Sequence, residues 1–198
     1  MVTYTLREKA LKFLIENNES PHSIRGISKE LKTDYKNTFG ALGKLNPKSF
    51  VKKMQGNASL IEFNPDNNLE TLSIEGKRTE EFLSKNSKLK VVKKYIEELN
   101  YPFLIVLVFG SYAKKTKLES SDLDICIISD NKSKSNELHE KLNLLSLKLD
   151  VQEFTSKDFV SMLEKRQSNL GNEIVKSNII LYGVENYYNL ISKWMKKE

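Results

Sequence analysis

The chain has 198 residues, 39% hydrophobic and 29% charged, enough for one large or two small domains with modest cores and far from the disordered extreme. No apolar run approaches the ~20 residues of a membrane-spanning helix, and the charged opening stretch MVTYTLREKALKFL lacks a signal-peptide pattern. A single cysteine, Cys126, excludes an internal disulfide and a cysteine-cluster zinc site and points to a reducing cytoplasm.

The formal net charge is +6, with 32 Lys and Arg against 26 Asp and Glu. The excess is local. Residues 24–57 hold Arg25, Lys29, Lys32, Lys36, Lys44, Lys48, Lys52 and Lys53 against Glu30 and Asp34, which accounts for all of it. Charge alone leaves a solvated face and a docking face for phosphate-bearing partners both open.

Along the chain, residues 5–17 read as an amphipathic helix with Leu6, Ala10, Leu11, Phe13 and Leu14 on its apolar side. NESPHS breaks it. Ser23 can cap a second helix carrying Ile24, Ile27 and Leu31. After the turn Lys32-Thr33-Asp34, a third helix is expected from Tyr35 to Leu45, with Phe39, Leu42 and Leu45 facing inward and Asn46-Pro47 stopping it. Two short extended runs then flank the turn signal Gln55-Gly56-Asn57. Three short helices and a basic hairpin resemble the winged helix-turn-helix domains of prokaryotic regulators. That resemblance implies nucleic-acid binding, DNA before RNA, with Tyr35, Lys36 and Asn37 at base edges and Lys32, Lys44, Lys52 and Lys53 on phosphates. Two-fold assemblies are common among such proteins, so a homodimer is one expected state.

Asn64-Pro65-Asp66-Asn67-Asn68 reads as a domain edge, and residues 76–100 as one Lys- and Glu-rich connecting helix with a self-compensating exposed face. The expected division is 1–75, 76–100 and 101–198. Residues 103–109, FLIVLVF, form a continuous apolar run that predicts a buried strand stopped by Gly110. Gly110-Ser111 opens a short helical stretch. A second strand follows, with Asp122 and Asp124 on one face and Leu123, Ile125 and Ile127 on the other. A helix is expected at roughly 136–147, and then a third extended run, LDVQEF, beginning near Asp150. Paired carboxylates on one strand face repel each other unless a divalent cation lies between them. A glycine–serine bend lets backbone approach a phosphate. Together they outline a metal and nucleoside triphosphate site.

FGSYAKKTKLESSDLDICI resembles the signature of the DNA polymerase β-like nucleotidyltransferases, particularly the minimal ones of archaea and bacteria. Gly110-Ser111, residues 112–121 and Ser121-Asp122-Leu123-Asp124 match the pattern without a gap, and NIILYG at 178–183 resembles the end of such domains. The resemblance implies a mixed β-sheet flanked by helices, and hence an α+β chain overall. It implies two Mg²⁺ ions on Asp122, Asp124 and Asp150, with Asp150 also a candidate proton acceptor. It places the phosphates of an NTP, ATP by default, on Gly110 and Ser111, with Ser121 also in the nucleotide site. Nucleotidyl transfer to an acceptor hydroxyl, with pyrophosphate release, is the implied reaction. Many members carry Arg-Gly where this chain has Lys114-Lys115; the lysines could crowd the turn or, with Lys117, add charge against the triphosphate. The alternative is a DNA-binding regulator whose second domain only senses nucleotide or mediates assembly. Glu153 falls on the opposite strand face from Asp150. Cys126, Tyr187, Tyr188 and Trp194 read as core residues, and His22 and His139 as isolated loop or surface histidines.

Overall fold

The structure, a computed structural model, describes residues 2–56, 58–118, 121–165 and 168–195. The expected hairpin turn therefore lies partly outside the described residues, at Asn57, as do Glu119 and Ser120 of the loop before Asp122.

The chain divides into two compact units between Lys77 and Arg78. The first unit runs α1 (Leu6–Glu16), β1 (His22–Ser23), α2 (Ile24–Glu30), α3 (Tyr35–Leu42), β2 (Phe50–Gln55), β3 (Ala58–Phe63) and the start of α4 (Leu69–Lys85). Each early helix begins where its sequence offers a cap. Thr5 and Glu8 form a reciprocal capping box on α1, Ser23 accepts the Gly26 N–H at α2, and Asp34 accepts the Asn37 N–H at α3. Ala10, Leu11, Leu14, Ile27, Ala41 and Leu42 close a core against Ile61 and Phe63 of β3. The three strands pair antiparallel in the order β1-β3-β2. β1 is two residues long, which is why NESPHS reads as a plain break.

Three expectations in this region change. Phe39 does not face inward: it is 55% exposed, because Thr38, Ala41 and Leu42 take the buried side of α3. That helix also ends at Leu42, three residues early, and Pro47 opens a separate 3-10 turn instead of stopping it. The polar stretch 64–68 is knitted into the first unit, since Asn64 N–H donates to the Ser49 carbonyl and Asn68 Oδ1 caps Glu70 and Thr71. Glu70 then binds Arg7 and the Asn46 N–H, and Lys77 binds Glu8, which ties the first half of α4 to this unit.

In place of one connecting helix over 76–100, α4 ends at Lys85 and α5 (Lys90–Glu98) follows a 3-10 turn. Asn86 makes the break: its φ is −131°, and its side-chain amide donates to the Phe82 carbonyl. The second unit continues with β4 (Ile105–Val108), α6 (Gly110–Ala113), β5 (Leu123–Ile128), α7 (Lys132–Asn143), β6 (Leu149–Phe154), α8 (Ser156–Glu164), α9 (Leu170–Lys176), β7 (Ile179–Tyr182) and α10 (Val184–Met195). β4 is shorter than the apolar run, because Pro102-Phe103 form a turn that leaves Phe103 70% exposed. α7 starts four residues before its expected position, where Asn131 accepts the Lys134 N–H as N-cap.

The sheet order is β6-β5-β4-β7, antiparallel except for the parallel pair β5–β6. This is the mixed sheet flanked by helices that the resemblance implies. Val106, Val108, Ile125 and Ile127 bury one face against Val92 and Ile96 of α5 and Leu138 and Leu142 of α7. Alternation turns Leu107, Cys126 and Ile180 to the other face, where α8 packs on β6 and α10 on β4. Cys126 is fully buried, and Tyr187 and Tyr188 are core residues.

Candidate active site

The end of β4 and the starts of β5 and β6 meet at one end of the second unit's strands. The Phe109 N–H donates to the Asp124 carbonyl, which fixes the Gly110-Ser111 bend beside the first residues of β5. Gly110 has φ +65°, a left-handed conformation natural to glycine. A Cβ there would lie 1.9 Å from Asp124 Oδ2 and 2.8 Å from its Cγ. The carboxylate therefore fills the space that a side chain at position 110 would need, and it accepts a hydrogen bond from the Ser111 N–H.

Parallel pairing places Asp150 directly beside Asp124 on the same sheet face, a register that links the motif to the third acid across 25 intervening residues. Burial raises the Asp124 carboxyl above its ordinary pKa, and repulsion from Asp150 and then Asp122 adds to the rise; the Ser111 N–H opposes it. Asp150 and Asp122 thus both act on Asp124. Asp150 is exposed and its Oδ1 accepts from Gln152 Nε2 at 2.9 Å. Glu153 does lie on the opposite face, where it pairs with His139.

Among the described residues, no three His, Cys, Asp or Glu side chains close into a metal cage. The donor chemistry still fits a hard divalent cation. Mg²⁺ is commonly held by one or two carboxylates, with water and substrate phosphates completing its shell. Asp122, Asp124 and Asp150 are the residues that would hold it, and the raised Asp124 pKa marks the charge it would relieve.

The flanking lysines divide. Lys114 Nζ lies 3.3 Å from Glu173 of α9, and this ion pair, helped by Lys176, holds Glu173 below the usual carboxylate range. Lys115 adopts φ +60°, a left-handed turn that a glycine would make easily and a lysine makes at a cost. Lys117 sits over the Tyr112 ring, 4.4 Å from its centroid, and donates to Asn86. Ser121 braces the loop: its hydroxyl oxygen accepts from the Leu118 N–H at 2.9 Å. Gln152 and Glu173 were missed in the sequence. Gln152 was within reach, being two residues from Asp150 on one strand face; nothing in the sequence links Glu173 to Lys114.

In the first unit, Lys32, Tyr35, Lys36, Lys44 and Lys52 are exposed as a docking role requires. Asn37 is exposed too, but its amide donates to Asp34 Oδ2 within the helix cap. Lys53 is paired with Glu62 at 2.7 Å.

Residues 90–186 match the family model described as polymerase beta, nucleotidyltransferase, which supports a DNA polymerase β-like nucleotidyltransferase in the second unit. No curated protein and no solved structure matches the chain.

Proposed function

We propose that the second unit moves a nucleoside monophosphate from a nucleoside triphosphate, ATP by default, to an acceptor hydroxyl, and that the first unit is a winged helix that docks on DNA. One observation carries the catalytic reading: the Asp124 carboxylate is packed into the gap left by Gly110, with its pKa raised by burial and by Asp150 and Asp122. A carboxylate held against two others is poised for a cation to neutralise it, and the glycine bend brings backbone to the same place.

In this reading Gly110 and Ser111 receive the β- and γ-phosphates, with the Lys114 ammonium within reach once it leaves Glu173. The acceptor oxygen forms a bond to the α-phosphorus as the bond to the β-phosphate oxygen breaks, and pyrophosphate departs. The hydroxyl proton passes to Asp150, whose orientation Gln152 fixes. Divalent metal, when bound by Asp122, Asp124 and Asp150, supplies charge stabilisation to the attacking and leaving oxygens. In the first unit, the order of helices and strands, the basic excess of residues 24–57 and the exposed hairpin lysine Lys52 support the docking role.

The second reading is a DNA-binding regulator with a nucleotide-sensing second unit; the confinement of the whole basic excess to residues 24–57 favours it. Incubation with each α-labelled NTP, Mg²⁺ and a cell extract separates the two. Label transferred to an acceptor, and lost with Asp124→Asn, supports transfer. Bound but untransferred nucleotide supports the regulator.

A further inference from the structure

We infer that the outer face of α3 takes single-stranded DNA by stacking bases on Tyr35 and Phe39, and does not read the edges of a duplex. The inference rests on the proposed nucleic-acid role of the first unit and specifies its ligand. Four observations support it.

The first is the aromatic pair. Tyr35 and Phe39 are 50% and 55% exposed, one helical turn apart, with rings 16° from parallel and centroids 6.2 Å apart. Exposed rings of this size are costly to leave in water, and they match the faces of bases. A duplex hides those faces inside its own stack and offers only edges, whereas a single strand presents them.

The second is charge. Lys36 lies between Phe39 and Gly40 around the helix, and Lys32 precedes α3. Lys32, Lys36, Lys44 and Lys52 form no ion pair among the described residues, so their charge remains available to a phosphate backbone. A positive surface interleaved with aromatic rings is the general pattern of single-strand binding.

The third is the loss of edge-reading groups. The Asn37 amide is held by Asp34, and Thr38 is buried with its hydroxyl on the Asp34 carbonyl. The N-terminal turn of α3, which would enter a major groove, thus carries an exposed carboxylate and an occupied amide. The buried Thr38 hydroxyl is likewise unavailable to a ribose 2′-hydroxyl, and the Asn37 amide is partly committed, which favours DNA over RNA.

The fourth is Gly40. It sits within the exposed side of α3 with no positive φ, and a Cβ there would meet nothing within 4 Å. The fold has no use for this glycine, which weakens the helix relative to alanine. It keeps the surface beside Lys36 and Phe39 low enough for a strand to lie on. Among the described residues the hairpin adds exposed Val51 and Met54 beside Lys52.

The test is anisotropy with the full chain, no NTP present, and labelled dT20, rU20 and a 20-base-pair duplex at one fixed salt concentration. The expected order is dT20 tightest. Phe39→Ala and Tyr35→Ala should each weaken dT20 by about fivefold to a hundredfold, and Phe39→Trp should restore binding. Both sites are exposed, so melting temperatures should hold. Gly40→Ala should raise the melting temperature and weaken dT20. A duplex bound as tightly as dT20, with the aromatic variants silent, overturns the inference and leaves the duplex-docking role intact. rU20 bound more than tenfold tighter overturns the choice of DNA. No binding of any probe overturns the inference together with the docking role. A dimer that Phe39→Ala converts to monomer gives the face to a second copy and likewise overturns it.

Discussion

Replacing Gly110 by alanine puts a methyl group where the Asp124 carboxylate lies. The new Cβ would stand 1.9 Å from Oδ2, against a floor near 3.0 Å for real contacts, so the carboxylate must move by about 1 Å or more. A displacement of that size loosens the hydrogen bond from the Ser111 N–H. The φ of +65° adds a backbone cost of about 1–2 kcal/mol for any L side chain. Overpacking adds about 1–3 kcal/mol, for a total loss of about 2–5 kcal/mol. In an Asp124→Ala background only the backbone part should remain, because the nearest Asp124 atom left is its Cβ at 3.4 Å, an ordinary contact. Urea unfolding read by Trp194, the chain's one tryptophan and a member of the second unit, measures both losses. The expected coupling is about 1–3 kcal/mol. In the otherwise wild-type chain, the displaced carboxylate should also cost about a hundredfold in transfer rate. Equal losses in the two backgrounds would refute the claim that this glycine exists to admit this carboxylate.

Lys115→Gly should stabilise the second unit by about 1 kcal/mol, since it relieves a left-handed lysine, and urea midpoints check it. Asp124→Asn should melt higher than wild type at pH 7.5 without divalent ions. The sign follows from the raised carboxyl pKa: the folded state favours the protonated form, so wild-type stability falls as pH rises through that pKa, and the variant does not share the loss. The variant's advantage should vanish below about pH 3.9, the ordinary aspartate pKa, in thermal scans. Glu173→Gln should release Lys114 and tighten NTP binding by no more than about fivefold, the range of an exposed ion pair, as read by calorimetry. Looser binding would mean that Glu173 orients Lys114 and does not restrain it.

The motif was legible because its chemistry is local. Gly110-Ser111 and Asp122-Leu123-Asp124 announce a bend and a two-residue strand period; the bend appears at Gly110, while β5 starts at Leu123 and so holds Asp124 but leaves Asp122 one residue before it. Asp150 could be proposed from its place in LDVQEF, but its position beside Asp124 is a matter of parallel register, which two separate strands do not encode in their own residues. Phe39 was misjudged because a short helix with few polar residues allows more than one apolar side. Burial chose Thr38, whose hydroxyl finds the Asp34 carbonyl, over the larger ring. The break at Asn86 falls where Ser84, Asn86 and Ser87, all weak helix formers, cluster inside a long Lys- and Glu-rich stretch, and the Asn86 amide folds back on Phe82 there. The pairing of Lys114 with Glu173 joins residues 59 positions apart and has no sequence trace.

The most direct test of the central claim needs no knowledge of the acceptor: calorimetric titration of a nucleoside triphosphate into the full chain, with Mg²⁺ or with chelator, for wild type, Asp124→Asn and Asp150→Asn. The account predicts binding to wild type that requires the divalent ion and is lost or severely weakened in both variants. Binding of equal strength in chelator, or in the two variants, would contradict it.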